Sequence, residues 1–459
     1  MGTNPVVHES PVVVEAPVVV GGPRLRAFAD RALPEAPPSR VPRGPLACAY
    51  VGAFVAAMGF QLLIPAGWSR LDHLWAEDGG RFLYDAITQP LTTNLITPYG
   101  GYLHTVPRLV AELASVLPLG WAPVVFAVSA AVVRTLVALL VFAASGAHLR
   151  SLPVRIAHAA LVVLLPVGNS EPLDNVTNLH WFLLYGAFWA LLWRSAPRVP
   201  VAIFVVVAAL TSSMGFLLVP VALVRLVLPR ARVVSIVFLL GVALHCLAMA
   251  NTVRLRYSDD RYEPLQVVLA ALLRVPLAGF TGSEQVQRYY PAFGHLPLLV
   301  ALLLAGLPIL AALWWGNLAG RLLVVFSVGC GAVVITAALT SNWIHVLAVD
   351  FPGVVMTAQR YSLLSCLFMF TAVAVGLDAL PRWRWARSAV WAGRIVIAAV
   401  LLVSIVQHIR VDAGVLTGVS WDQTVIQAHE QCAAGEPFGR FLLDPPGWLI
   451  DVPCGYLRK

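Results

Sequence analysis

Charged residues are scarce in this chain of 459 residues, at 12% of the sequence, whereas hydrophobic residues make up 59%. The mean hydropathy is +0.80, and soluble globular domains carry about 25% charged residues. So little charge cannot give a chain of this length a polar surface, which excludes an ordinary soluble domain. The composition predicts an all-α polytopic integral membrane protein, whose main partner is the lipid bilayer.

Acidic residues are the scarcer kind of charge, with 23 Asp and Glu against 31 Lys and Arg, and the formal net charge is +8. A basic balance can indicate nucleic-acid binding. Here nearly all of it is arginine scattered between apolar runs, without a basic stripe or a stacking-aromatic motif. We therefore expect no nucleic-acid partner and attribute the arginines to orientation in the membrane.

Several motifs of soluble enzymes are missing from the sequence. It contains no Gly-rich phosphate loop, no zinc-binding pair and no serine elbow, which argues against ATP-driven and hydrolytic chemistry. No repeat of fixed period is present, and no pair of Gly/Pro-broken helices recurs in the two halves as it does in inverted-repeat transporters. We expect no cofactor, and the sequence leaves a divalent-metal requirement undetermined.

Cysteine is also rare, with six in the chain. Four of them lie inside apolar runs, and no spacing indicates a metal site. The other two, Cys432 and Cys454, lie in the predicted external tail and bracket the stretch from Gly435 to Pro453. In an oxidising compartment these two are predicted to form a disulfide.

The arginines predict the topology. Residues 1–43, rich in Pro and Val, have no helical or strand period and are predicted to be a disordered cytoplasmic tail, held inside by five arginines. Short arginine-rich connections with almost no acid are predicted to be cytoplasmic as well. They lie at 150–155, 194–198, 225–232, 321 and 382–387.

The apolar runs in 44–409 predict about eleven transmembrane helices in the plasma membrane, with the N-terminus cytoplasmic and the C-terminus extracytoplasmic. The predicted spans are 44–64, 121–145, 154–169, 179–193, 199–212, 213–229, 233–251, 296–315, 321–341, 360–379 and 389–409. Two assignments have alternatives: 199–229 could be one tilted helix with a connector, and 264–281 could be a span. A hairpin and an interfacial helix are favoured because they keep the arginine clusters inside.

This map places the polar segments outside, chiefly the first external loop 65–120, the large loop 252–295 and the C-terminal tail 410–459. Within the first loop, 77–89 and 101–117 are too polar to cross the bilayer and are predicted to be interfacial helices. A turn at Thr97-Pro98-Tyr99-Gly100-Gly101 separates them, with Pro and paired Gly as turn residues.

The acidic pair Glu77-Asp78 stands directly after the first apolar run, in Trp75-Ala76-Glu77-Asp78. It is followed by Phe82, by Thr97-Pro98, by a helix from Tyr102-Leu103-His104 onward, and by Glu171 and Asp174 in the next external loop. This order resembles the GT-C superfamily of polyprenyl-phosphate-sugar-dependent glycosyltransferases, which includes protein O-mannosyltransferases and lipid A aminoarabinose transferases. The resemblance covers approximately residues 44–200. Family members usually have Asp-Glu where this chain has Glu-Asp, so either carboxylate could be the base, and the spacing to Phe82 favours Asp78.

The resemblance implies an inverting enzyme that moves a sugar from a polyprenyl-phosphate donor to an acceptor on the extracytoplasmic side. A carboxylate must accept the proton of the acceptor hydroxyl, and Asp78 is the first candidate, with Glu77 the second. The leaving phosphate gains negative charge, which a guanidinium stabilises. Arg360, in Gln359-Arg360-Tyr361 at an outer helix start, is the first candidate for that role.

Further substrate-binding candidates lie in the external segments or at helix ends that face them. They are Glu171, Asp174, His180, Tyr361, Arg108 and His104. Several candidates also have a structural interpretation. Asp78 before Gly79 could cap a turn, and Glu171 and Asp174 could belong to a short polar loop between helices. Arg360 and the His180-Trp181 pair could anchor helix ends at the interface. Arg134 lies in mid-span, where a charge indicates function.

Two other functions fit the same composition. A transporter or flippase of a lipid-linked saccharide would share the spans and the arginines but would need a polar path through the membrane. An O-antigen polymerase-like or ligase-like enzyme would place its key Arg and His residues in the later loop 252–295. The donor sugar and the acceptor cannot be read from the sequence.

Overall fold

The computed structural model describes residues 22–37, 42–63, 70–169, 171–250, 252, 263–341, 358–379, 387–410 and 420–457. Parts of the predicted tail, of the predicted loop 252–295 and of the predicted C-terminal segment lie outside these residues. Within them the chain is almost entirely helical, with one two-stranded sheet. The coarse prediction of a helical membrane protein is confirmed.

The α-helices are α1 (Pro23–Ala32), α2 (Arg43–Leu63), α3 (Tyr84–Thr88), α4 (Leu91–Ile96), α5 (Thr105–Ser115), α6 (Ala122–Ala144), α7 (Leu152–Leu164), α8 (Leu179–Leu192), α9 (Arg198–Thr211), α10 (Val219–Leu226), α11 (Arg232–Ala250), α12 (Pro264–Leu272), α13 (Ala278–Thr281), α14 (Ser283–Phe293), α15 (Leu296–Trp315), α16 (Leu318–Ser341), α17 (Arg360–Ala379), α18 (Arg387–Arg410), α19 (Trp421–Ala433) and α20 (Cys454–Leu457). Wider π-helical turns span Asp78–Leu83 and Leu273–Leu277. The strands are β1 (Phe438–Leu443) and β2 (Trp448–Pro453).

In the described part of the chain, eight helices are long and apolar enough to cross a bilayer. They are Gly44–Leu63, Leu119–Ala147, Arg232–Ala250, Pro264–Thr281, Leu296–Trp315, Leu318–Ser341, Arg360–Ala379 and Val390–Ile409. The prediction of about eleven differs in two ways. Four of the predicted spans are shorter apolar helices of the α7 to α10 region, and 264–281, predicted to be interfacial, qualifies by length and composition.

Two helices form the centre of the bundle. Every residue of α8 is buried, and α17 is buried from Ser362 to Gly376. They pack through aromatic rings, with the Phe188 and Phe368 centroids 5.2 Å apart in an edge-to-face arrangement. A helix that is apolar on all sides is stable only when other helices surround it, so the start of each of these two helices is fixed with little freedom.

Arg134, the charge predicted in mid-span, is fully used by the fold. Its guanidinium donates hydrogen bonds to the carbonyls of Val162, Val163 and Gly168 at 2.8–2.9 Å. A further bond of 2.7 Å reaches the Asn169 side chain, and the guanidinium lies 4.6 Å from the Phe182 ring centroid. These carbonyls lie at the end of α7, where helix geometry leaves them without intrahelical partners. Arg134 therefore completes the end of α7.

The N-terminal helix α1 and the connection after α8 lie at one end of the bundle. Arg194, just after α8, forms ion pairs with Asp30 at 2.8 Å and Glu35 at 3.2 Å. The structure differs here from the predicted disordered tail, since 23–32 is helical. The short helix begins with Pro23 at a position that favours helix starts, and the ion pairs hold it against the bundle.

The C-terminal residues 420–457 form a small cap at the opposite end. In it α19 packs on an antiparallel hairpin, and a disulfide joins Cys432 to Cys454. The hairpin turn is bonded to the segment after the first span: Asp444 donates its N–H to the Leu74 carbonyl at 2.9 Å and accepts from the Ala76 N–H at 2.6 Å. The cap is therefore attached directly to the segment that carries Glu77 and Asp78.

The first external loop is helical, with a turn in the middle. The turn at 99–102 closes through two hydrogen bonds between Tyr99 and Tyr102, with Gly100 and Gly101 at φ of +56° and +90°. In α5, Leu109 and Leu113 are exposed while Arg108 and Ala111 are buried. This division is typical of a helix that lies in a membrane interface.

Removing the disulfide is expected to loosen the cap. In the Cys432→Ser/Cys454→Ser variant the crosslink over 22 residues is lost, and a crosslink of this size contributes about 3 kcal/mol. We expect faster proteolysis within 420–457, measured by mass spectrometry of the fragments. Cys246→Ser removes a free cysteine and serves as the control. Equal protease resistance of all three proteins would contradict the expectation.

Candidate functional site

Asp78 is buried at 1% exposure and ties the first external loop to the second. Its Oδ2 accepts the Val176 N–H at 2.9 Å, and its Oδ1 accepts the Thr177 N–H at 2.9 Å together with the Thr177 hydroxyl. A carboxylate has about four acceptor positions, so one position on Oδ2 remains. The side chain predicted to be the base is thus mainly engaged in holding the segment just before α8.

Burial raises the pKa of the Asp78 carboxyl to about 7. The three hydrogen bonds oppose that rise because they favour the charged form, and the neighbouring Glu77 adds to it. The paired glycines that follow Asp78 explain how it becomes covered. A Cβ on Gly79 would lie 2.5 Å from the Leu443 side chain of the cap, so only glycine lets β1 approach this closely.

Glu77, the residue before Asp78, is less buried than Asp78. It is partly exposed, and no described residue gives its carboxylate a hydrogen bond or an ion pair. Its charge acts on the Tyr102 hydroxyl, whose pKa is raised by burial first and then by Tyr361 and Glu77, while Arg360 lowers it. The charges of Glu77 and Arg360 therefore act on the same tyrosine hydroxyl, with opposite effects on its pKa.

Glu171 and Arg360 form an ion pair, although they are far apart in the sequence. The Glu171 carboxylate also accepts the backbone N–H of Arg360 at 3.3 Å, so it occupies the N-terminus of α17. Backbone N–H groups and the helix dipole make such a terminus attractive to anions. The Arg360 guanidinium lies 4.9 Å from the Tyr361 ring centroid. Both side chains remain partly exposed.

A row of rings connects this ion pair to the first external loop. Tyr361 meets Trp181 with centroids 6.1 Å apart, Trp181 lies against His180 at 4.1 Å, and His180 faces Tyr102 at 5.7 Å. Trp181 and His180 are the third and second residues of α8. The two central helices thus begin side by side with predicted site residues. We call Glu77, Glu171, Arg360 and these four rings the outer-face cluster, after the side on which the sequence predicts them to lie.

His104 lies behind Tyr102. Its ring stacks on the Tyr102 ring with centroids 3.7 Å apart, and its Nδ1 lies 3.1 Å from the Tyr102 carbonyl oxygen. The backbone of His104 is left-handed, with φ of +55°, which is uncommon for a residue other than glycine. Burial and then His180 lower the pKa of His104 well below its usual value.

Four predicted site residues lie outside the outer-face cluster: Asp78 and His104, described above, and Arg108 and Asp174. Arg108 is fully buried and pairs with Asp85 at 3.1 Å, and it also donates to the Asn94 side chain. This network holds α3, α4 and α5 together. Asp174 is partly exposed. Burial raises its pKa to about 7, and Arg70 and Arg134 oppose that rise.

The prediction from sequence missed Tyr102, Thr177 and Trp181 as site residues. Tyr102 stands beside the predicted turn glycines and Trp181 beside His180, so their proximity in sequence was a usable signal. Thr177 carried no such signal, because its hydroxyl reaches a carboxylate 99 positions earlier. Among the described residues, no group of three or more His, Cys, Asp or Glu side chains is placed to hold a metal ion.

The raised pKa of Asp78 predicts a pH dependence of stability. A carboxyl whose pKa is higher in the folded than in the unfolded state stabilises the protein fully below pH 4, and that contribution is lost as the pH rises through 7. Each pKa unit corresponds to about 1.4 kcal/mol. In Asp78→Asn we expect a lower unfolding temperature and a smaller decline between pH 4 and 7 than in the wild type. Asp451→Asn, on the cap surface, should keep the wild-type decline, and identical profiles for Asp78→Asn and wild type would contradict the expectation.

No protein-family model matches this chain, and no curated protein matches its sequence.

Proposed function

We propose that the protein is a membrane glycosyltransferase that moves a sugar from a polyprenyl-phosphate donor to an acceptor hydroxyl. One observation carries the proposal: the charges of Glu77, which has no ion pair or hydrogen bond among the described residues, and of Arg360 at a helix N-terminus act with opposite sign on the Tyr102 hydroxyl. Direct displacement at an anomeric carbon needs a base on one side and a group that stabilises the departing phosphate on the other.

Glu77 is the better base of the acidic pair. It is partly exposed and unpaired within the described ranges, so it can accept a proton without breaking an existing contact. Asp78 accepts three hydrogen bonds from Val176 and Thr177, and protonating it would weaken them. We therefore assign proton transfer to Glu77 and positioning of the two loops to Asp78, which reverses the preference drawn from the spacing to Phe82.

Arg360 and the first turn of α17 would receive the donor phosphate. A guanidinium offers several N–H groups in one plane and suits phosphate oxygens. In the structure this position is taken by the Glu171 carboxylate, an anion supplied by the chain itself. Glu171 then has the role of holding Arg360 in place until the phosphate of the donor takes over that contact.

We propose that this face is extracytoplasmic. The cap with its Cys432–Cys454 disulfide is bonded to the segment that carries Glu77, and structural disulfides form in oxidising compartments outside the cytoplasm. The N-terminal helix and Arg194 lie at the other end, which fits the tendency of arginine-rich loops to stay inside. The plasma membrane, with the N-terminus inside and the C-terminus outside, is the corresponding location.

Eleven crossings are consistent with these two faces if both ends of the segment 264–281 lie on the outer side. The C-terminal end of this segment lies close to Pro166, because a Cβ on Gly282 would be 3.2 Å from the Pro166 side chain. Pro166 is three residues before Asn169. Asn169 accepts a hydrogen bond at 2.9 Å from His408, at the cap end of α18. The preceding helix α11 also ends there, since its His245 faces Tyr102 at 6.2 Å.

The transporter alternative is less favoured. A transporter needs polar groups in the middle of the membrane that can bind the transported molecule. The Arg134 guanidinium instead donates hydrogen bonds to four acceptors within the protein. A ligase-like enzyme would rely on basic side chains of the loop 252–295. Of that loop, 253–262 lies outside the described residues, and Arg288 in the described part is exposed and is not part of the outer-face cluster.

Transfer should depend on Glu77 without a loss of folded protein. Because proton acceptance contributes about 10²–10⁴-fold to such reactions, Glu77→Gln is expected to reduce the rate by that factor. The rate would be followed as radiolabel passing from polyprenyl-phosphate sugars into membrane or cell-wall acceptors. Protein amount and unfolding temperature should stay at the wild-type level, because Glu77 has no hydrogen-bond partner in the described structure to lose.

Two further variants separate the roles. Asp78→Asn should reduce transfer and lower the unfolding temperature together, because it breaks the tie between the loops. Glu436→Gln, an exposed carboxylate of the cap, should behave as wild type. Full activity of Glu77→Gln beside an inactive but stable Asp78→Asn would return the base to Asp78, and full activity of both would reject the proposed chemistry.

Orientation can be measured by labelling introduced cysteines in intact cells with a membrane-impermeant maleimide. Gln427→Cys, on the exposed side of α19, is expected to react from outside, whereas Ser195→Cys, beside Arg194, should react only after permeabilisation. Both positions are exposed, so access and not burial decides the result. The reverse pattern would place the cap in the cytoplasm and overturn the proposed topology.

A further inference from the structure

Three buried histidines from different elements meet around the Tyr102 ring. His104 comes from the end of the turn in the first external loop, His180 from the start of α8 and His245 from α11. The ring of His104 lies 6.4 Å from that of His180, and Tyr102 faces His245 at 6.2 Å. All three histidines are at most 5% exposed. We call Tyr102 and these histidines the imidazole cluster.

Buried polar atoms of this cluster lack partners. Within the described residues, neither Nε2 of His104 nor Nδ1 of His180 has a hydrogen bond, and the same holds for the adjacent Nε1 of Trp181. Buried polar groups in folded proteins are nearly always satisfied, so three such atoms in one place could form hydrogen bonds with a ligand. The left-handed backbone of His104 adds to this indication, since strained residues concentrate at functional sites.

The contact of His104 with Tyr102 defines what the ligand must offer. A carbonyl oxygen can only accept, so Nδ1 of His104 carries the hydrogen that it donates to the Tyr102 carbonyl. Burial lowers the pKa of His104 well below its usual value, which keeps the imidazole neutral. Its Nε2 is then an acceptor and needs a donor. Trp181 Nε1 is a donor only, so the ligand must both donate and accept, as hydroxyl groups do.

We propose that the imidazole cluster, with Trp181, binds the hydroxyl groups of a sugar ring, most directly that of the donor. The assignment rests on the proposed glycosyltransferase function and extends it to the sugar. The cluster contains no arginine or lysine that would attract the phosphate, which has its own position at Arg360, two ring contacts away through Tyr361 and Trp181.

The test measures binding to the full-length protein in nanodiscs. The probes are bare polyprenyl phosphate and polyprenyl phosphates that carry mannose, glucose or arabinose. For the wild type we expect one sugar-bearing lipid to bind about tenfold tighter than the bare lipid, since a factor of ten corresponds to about one or two good hydrogen bonds. In His104→Asn and His180→Phe this preference should fall to about twofold or less, with binding of the bare lipid unchanged.

The variants are chosen to preserve the local structure. Asparagine tolerates the left-handed backbone of position 104, and phenylalanine keeps the ring at position 180. His429→Asn, an exposed histidine of the cap, is the control and should keep the full preference. A preserved preference in His104→Asn and His180→Phe would overturn the assignment, and so would an equal loss for bare and sugar-bearing lipids, since that result means only a structural role.

Two further outcomes separate this inference from the function it rests on. A wild type that binds neither bare nor sugar-bearing lipid would reject the proposed donor and this site together. A wild type that binds all four lipids equally would reject this site alone. The last arm uses soluble methyl glycosides. If the variants no longer bind these glycosides while they keep the preference for a sugar-bearing lipid, the donor assignment is wrong and the imidazole cluster holds the sugar of the acceptor.

Discussion

The carboxyl group of Asp78 holds together the two segments on which the outer-face cluster depends. It accepts three hydrogen bonds from Val176 and Thr177 in a site closed to solvent. An ionised carboxylate is expensive to bury unless donors replace its lost water, and here two backbone N–H groups and a hydroxyl offset part of that cost. Because Thr177 lies just before α8, this single contact sets where the first residues of α8 stand relative to the first external loop.

The remaining geometry follows from which helices are central. The two helices α8 and α17 are surrounded by the bundle, so their outer ends cannot shift without opening the core. Side chains at those ends are therefore held in defined positions, and these are His180, Trp181, Arg360 and Tyr361. Such rigidity suits a site that must present separate groups to different parts of one substrate. The cap also restrains this region, through its backbone hydrogen bonds to Leu74 and Ala76.

Charged groups in the described structure fall into two kinds. Arg108 and Arg134 are buried with their hydrogen bonds directed to fixed acceptors, and each joins elements that would otherwise separate. Glu77 and Arg360 lie near the surface and keep capacity for other partners. From the sequence, an arginine in mid-span such as Arg134 suggests a functional charge. In the structure its guanidinium instead binds the carbonyl groups at and after the end of α7. Among these four charged residues, exposure separates the candidate site from the scaffold.

The sequence by itself determined the helical membrane class, because long apolar runs in lipid must satisfy their backbone groups within helices. It also pointed to Glu77, Asp78, Glu171, His180 and Arg360, since polar residues are conspicuous in so apolar a chain. The roles of these residues were decided by tertiary structure. Asp78 meets Thr177 across 99 positions and Glu171 meets Arg360 across 189. A local sequence pattern cannot show which carboxylate becomes buried and which stays exposed, because that depends on how helices distant in the sequence pack together.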